Sequence, residues 1–143
     1  MKTTITAEEY RNSVSKGKPR QQLEGQSQRN FGMLLNGVMR YRLSPNLLFW
    51  TYSAAGERKG LKTAVLQKRK GMQKGDFDYR FEMSKDGALR VIYIEFKTAK
   101  GSLTAEQKIF MARHSGLKNC ACYLARSVEE GVGFLEKEGV LEK

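Results

Sequence analysis

A chain of 143 residues, 40% hydrophobic and 29% charged, is long enough for one packed core and too short for two domains. Its apolar runs fall short of the roughly 18 to 20 residues a membrane helix needs, and its first residues lack the apolar stretch of a secretory signal, so a cytoplasmic protein without membrane contact is expected. The net charge of +11 sits in the first half, where residues 1–74 hold 15 Lys and Arg against four Glu, which points to a polyanion partner unless the charges only solubilise the surface.

Residues 1–20 are polar and read as a basic N-terminal extension, with a short helix after Thr6 whose Glu9 completes a capping box. Residues 21–143 read as one domain. Over residues 21–42 the spacing of Phe31, Leu34, Leu35 and Val38 predicts a helix. Gly25, Gly32 and Gly37 weaken it without overturning it, and Pro45 ends the segment. Glu24 and Gln28 prolong the stripe of Phe31, Leu35 and Val38. A carboxylate aimed at the core edge needs a partner; the alternative is a helix-end acid still reached by solvent. Residues 47–52 read as a strand rich in aromatic and apolar side chains. Gly56 and Gly60 bracket a turn, and residues 61–70 form a basic helix closed by Gly71. Residues 58–74 carry seven positive charges and no acid: Arg58, Lys59, Lys62, Lys68, Arg69, Lys70 and Lys74. These are the candidate phosphate contacts.

The centre of the chain changes character. Residues 77–83 alternate, with Asp78, Arg80 and Glu82 on one face and Phe77, Tyr79, Phe81 and Met83 on the other. Lys85-Asp86-Gly87 signals a hairpin turn into a strand over residues 89–97. Val91-Ile92-Tyr93-Ile94 is apolar on both faces, which predicts a central strand. A helix over 104–114, a strand over 119–125 and a closing helix over 128–137 complete an α/β chain. Cys120 and Cys122 share one face of the strand over 119–125 and read as small hydrophobes; a zinc site would need more ligands than the single His114 supplies.

Glu95-Phe96-Lys97 is the first pointer to chemistry. Residues i and i+2 share a strand face, so a carboxylate and an ammonium stand side by side where the strand leaves the sheet. An exposed ion pair is the ordinary explanation, but charges that continue a buried strand need a reason. Asp78 begins the neighbouring strand, and antiparallel pairing sets that start against the end of its partner. Two carboxylates there repel unless a cation or proton joins them. Mg²⁺ suits such a place, since it takes one or two carboxylates and completes its shell with water and phosphate. Alternatively, Asp78 caps the turn from Gly75. Gln107, third in a helix begun by Thr104, completes a capping box and by that reading does no chemistry.

Together, Gly75-Asp76-Phe77-Asp78, Ile94-Glu95-Phe96-Lys97-Thr98 and Gly101-Ser102-Leu103-Thr104-Ala105-Glu106-Gln107 resemble the VRR-NUC family of the PD-(D/E)XK nuclease superfamily. That family's pattern is roughly G-x-P-D, E-x-K and G-x-L-S-x-x-Q. Glu24 with Gln28 resembles the acid and glutamine of its first helix, and the segment from Cys122 to Glu130 its last core strand and following helix. Phe77 replaces the family proline and Thr104 the usual serine. The resemblance implies a restriction-endonuclease-like mixed sheet flanked by helices. It implies Asp78 and Glu95 as ligands of Mg²⁺ or Mn²⁺, with the Phe96 carbonyl as an additional one. Glu24 would hold a metal-bound water or a second ion. Lys97 would orient or deprotonate the attacking water and offset charge on the phosphate, and Gln107 would position Lys97 or the backbone phosphate. It further implies a DNA endonuclease acting on branched substrates such as four-way junctions, as a homodimer, in a bacterial or phage-infected cell. A nuclease fold that binds nucleic acid without cutting it is the second expectation.

Overall fold

The computed structural model describes residues 20–38, 42–53 and 60–142, and the side chains of all of these but 20–24 and 38. The expected extension over residues 1–20 falls almost wholly outside them. Helix α1 (Arg20–Met33) passes through a wide turn at Leu34–Val38, where Gly37 takes φ 80° and stops it. Strands β1 (Arg42–Leu43) and β2 (Leu47–Tyr52) follow, then helix α2 (Leu61–Arg69), strands β3 (Tyr79–Lys85) and β4 (Ala88–Phe96), helix α3 (Ala105–Ser115), strand β5 (Cys120–Ala125), helix α4 (Val128–Lys137) and strand β6 (Leu141–Glu142).

The main sheet runs β2-β3-β4-β5, antiparallel but for the last pair, which is parallel and joined through α3. The protein is thus a mixed α/β fold with a mixed four-stranded sheet flanked by helices, compatible with the arrangement the resemblance implies. β4 lies centrally, as its two-sided apolar run predicts. Asp86 and Gly87 both take positive φ, 53° and 76°, the two-residue turn that matches strand twist. This fixes Tyr79 opposite Ile94 and Lys85 opposite Ala88.

One face of the sheet packs on α1 and α4. Phe31 of α1 meets Tyr79, Phe81 and Phe96 at ring-centroid distances of 4.9 to 6.3 Å. Leu34, Leu35, Ile92, Ile94, Val132 and Leu135 close around it. Gly131 is the contact point of α4: a Cβ there would lie 2.9 Å from the Phe96 ring and 3.0 Å from Phe31. Cutting Phe31 to alanine would cost roughly 3 to 5 kcal/mol by the usual large-to-small rule. The other face is covered by α3, whose Phe110 stacks on Phe77 at 5.0 Å and meets Tyr93 edge-on at 4.9 Å.

Two expectations are corrected. The first helix does not reach residue 42; Arg42 and Leu43 already pair with Glu142 and Leu141. Phe77 does not share the face of Tyr79 and Phe81. The strand begins only at Tyr79, so alternation does not extend to residue 77, and its ring turns to α3 instead.

Candidate active site

Two buried carboxylates interlock at the open end of the β3–β4 hairpin. The Asp78 amide donates to Glu95 Oε2 at 2.9 Å, and the Phe96 amide donates to Asp78 Oδ2 at 2.8 Å. Each acid thus takes a main-chain donor from the other's strand at the point where the regular ladder ends. The Asp78 carbonyl accepts from Ser53, just beyond β2, at 2.7 Å, so three strand ends hold this one residue. In the turn just before it, the Asp76 carboxylate accepts from the Phe77 amide at 2.9 Å.

Lys97 stands beside Glu95 as strand parity requires, its Nζ 3.2 Å from Oε1. Gln107 reaches the same oxygen from α3 at 2.7 Å. Its other amide atom closes the helix cap: Oε1 accepts from the Thr104 amide at 3.0 Å, and Thr104 Oγ1 accepts from the Gln107 amide at 3.2 Å. The two readings of Gln107 are therefore compatible, because a side-chain amide presents an acceptor and a donor at once.

The rim is more enclosed than the strand end suggests. Asp78 is 6% exposed and Glu95 2%. Burial, the largest cause, holds the Glu95 carboxyl above the usual carboxylate range, while Lys97, Gln107 and the Asp78 amide pull it partway back. Such a carboxyl gains from any added positive charge.

Three sets of contacts support this centre. Gly75, at φ 90°, turns against the first turn of α3 so closely that a Cβ would lie 2.7 Å from the Glu106 carbonyl oxygen. Arg126 Nη1 donates to the carbonyls of Thr98 and Gly101, both at 2.7 Å, and of Ala99 at 3.2 Å, clasping the loop after Lys97. The Tyr79 hydroxyl donates to the Gln28 carbonyl at 2.7 Å and Tyr52 to the Gln28 side chain at 3.3 Å, tying α1 to the sheet at this end.

Arg126 was not assigned a role from the sequence. Its signal is parallel register: Phe96 pairs with Ala125, so the residues after each stand at one level.

The fold brings Asp78, Glu95, Phe96, Lys97 and Gln107 together. Glu24 lies in α1, with its side chain outside the described ones, and Arg58 and Lys59 lie outside the described residues. Lys62, Lys68, Arg69, Lys70 and Lys74 are exposed on and after α2. Only Lys70 and Lys74 line the cavity that Asp76 and Ser53 border next to the acids. Among the described residues no group of three or more His, Cys, Asp or Glu gathers as metal ligands, and no helix is long and apolar enough to cross a membrane. No protein-family model, no curated protein and no solved structure matches the chain.

Proposed function

We propose that the protein is a metal-dependent DNA nuclease of VRR-NUC type, hydrolysing phosphodiester bonds at Asp78, Glu95 and Lys97. The observation that carries this reading is the interlock of Asp78 and Glu95, two acids nearly removed from water and in contact through each other's strands. Placing like charges together in a buried site costs stability unless a cation serves them.

The donor set fits Mg²⁺ or Mn²⁺, which favour hard oxygen ligands. Asp78 and Glu95 would hold the ion with the Phe96 carbonyl, and the family resemblance assigns Glu24 to a metal-bound water or a second ion. When bound, the ion neutralises charge on the phosphate and lowers the pKa of water. Lys97, paired with Glu95, would orient the attacking water and offset the charge that grows on the phosphate oxygens. Gln107 would fix the Glu95 carboxylate in place. Water oxygen bonds to phosphorus as the bond to the leaving sugar oxygen breaks, and the proton shed by the water ends on that oxygen. The products are a phosphate monoester and a hydroxyl end. The lysines of and after α2 would grip flanking backbone, positioning without reading sequence. Branched DNA, and a two-fold dimer that sets one site on each of two strands, belong to this proposal through the family resemblance.

The test is cleavage of flaps, four-way junctions and plasmid with Mn²⁺. Activity should vanish in EDTA and in Asp78→Ala, Glu95→Ala and Lys97→Ala, with the fold retained by circular dichroism. Intact substrates throughout would sink the reading.

One observation favours a second reading, a nuclease fold that binds DNA without cutting it. Glu95 already has both oxygens engaged by protein donors: the Asp78 amide on one, Gln107 and Lys97 on the other. In that case strongly salt-dependent binding persists through all three substitutions, and no cut appears.

A further inference from the structure

A cavity of about 560 Å³ opens beside the acids, in the size range of small-ligand sites. Its lining comes from the C-terminal end of α2 and the turn that follows it, together with Ser53, Asp76 and Phe110. The α2 end is rigidly made: the Gly71 amide donates to the Lys68 carbonyl at 3.0 Å and the Met72 amide to the Gln67 carbonyl at 3.0 Å. Gly71 takes φ 99°, the left-handed cap of a Schellman motif.

Three chemical features meet in this wall. Lys70 and Lys74 supply positive charge at the mouth. Met72 and Phe110 supply half-buried apolar surface. Gln67 lines the cavity with its Oε1 buried and making no hydrogen bond among the described residues, and Asp76 lines the same cavity. A buried acceptor without a donor is costly, so the site favours a ligand that brings N–H groups. Cations, apolar side chains and acceptor-bearing side chains around one cavity are complementary to a nucleotide. Its phosphate would meet the lysines, its ring the apolar side chains, and its exocyclic amine the Gln67 oxygen.

We propose that this cavity receives one unpaired nucleotide of the DNA substrate, extruded next to the phosphate held at Asp78. The inference rests on the nuclease reading and deepens it. Asp76 is two residues from Asp78, and the Ser53 amide holds the Asp78 carbonyl, so the same backbone lines the cavity and presents the acid. Branched and bulged DNA would be chosen because its unpaired base enters without the cost of breaking a pair.

The experiment is binding of full-length protein in EDTA, where no cutting intervenes. The probes are a duplex carrying one unpaired 2-aminopurine and the same duplex fully paired. The bulged duplex should bind about 3- to 10-fold tighter, with a change in 2-aminopurine emission. Gln67→Leu and, separately, Lys74→Glu should erase the difference while the far-ultraviolet spectrum is kept. Competition by free deoxyadenosine monophosphate would mean that the nucleotide is recognised without its strand; none would mean that the strand is part of the ligand. Either outcome supports the site. Equal affinity for the two duplexes, or a preference untouched in both variants, overturns it. Failure of the nuclease reading is separate, since it would register as absent cleavage with Mn²⁺ while the binding preference stands.

Discussion

Gln107 donates to Glu95 at 2.7 Å with one end of the amide whose other end closes the cap of its own helix. Helix start and acidic centre are therefore one hydrogen-bonded unit, and the two contributions separate by mutation. Thr104→Ala loses the cap alone and should cost about 1 kcal/mol. Gln107→Ala also strips a buried carboxylate of a donor and should cost roughly 2 to 4 kcal/mol. Urea denaturation of both variants decides; equal losses would mean that the contact with Glu95 contributes nothing.

Glu95 should leave a signature in the pH dependence of stability. Its carboxyl is held above the ordinary value of 4.5, chiefly by burial. The folded state thus binds more protons than the unfolded one, and stability declines as pH rises from the ordinary value through the folded one. Glu95→Gln removes the titration and should flatten that decline. A wild-type curve that climbs over this window would contradict the assignment.

Binding of Mn²⁺ can be read without any cleavage. At a hundredfold excess over Kd, a ligand specific to the folded state stabilises it by about 2.7 kcal/mol, which raises Tm by several degrees. Asp78→Asn keeps an oxygen for the Phe96 amide and loses the charge. Its Tm without metal should stay close to that of the parent, and its Mn²⁺ shift should disappear. An undiminished shift would exclude Asp78 as a ligand.

Gly75 and Gly87 make a matched pair, since both hold positive φ but only Gly75 has a neighbour in the way. Gly87→Ala should cost about 1 kcal/mol of backbone strain. Gly75→Ala should cost roughly 2 kcal/mol or more, and by pushing on the Glu106 carbonyl it should displace Gln107 and slow any cleavage. Calorimetry and a single-turnover assay check both; similar losses in the two would show that the approach to α3 is soft.

Much of this architecture is legible from local pattern. Residues 47–52 and 128–137 fold over the bounds assigned to them, because aromatic and apolar richness in one and helix-forming composition in the other, where Ser127 caps the Glu130 amide, are local features. The convergence of Asp78, Glu95 and Lys97 follows from strand parity and a recognisable turn. What escaped detection depends on distant partners. β1 and β6 are two residues each and exist only through pairing across the chain, sealed by Arg42 on Glu142 at 2.7 Å. The face of Phe77 is decided by Phe110, the cover over Glu95 includes Gln107 of α3, and the loop after Lys97 is held by Arg126; none of these has a periodic signature.

The Asp86-Gly87 turn governs an acid pair it never touches. Side chains change sides at every residue of a strand, so inserting or deleting one amino acid there would send Asp78 through the sheet, away from Glu95. Seven paired rungs separate that dipeptide from the acids, and it acts like the spine of a folding ruler, setting from afar which marks coincide.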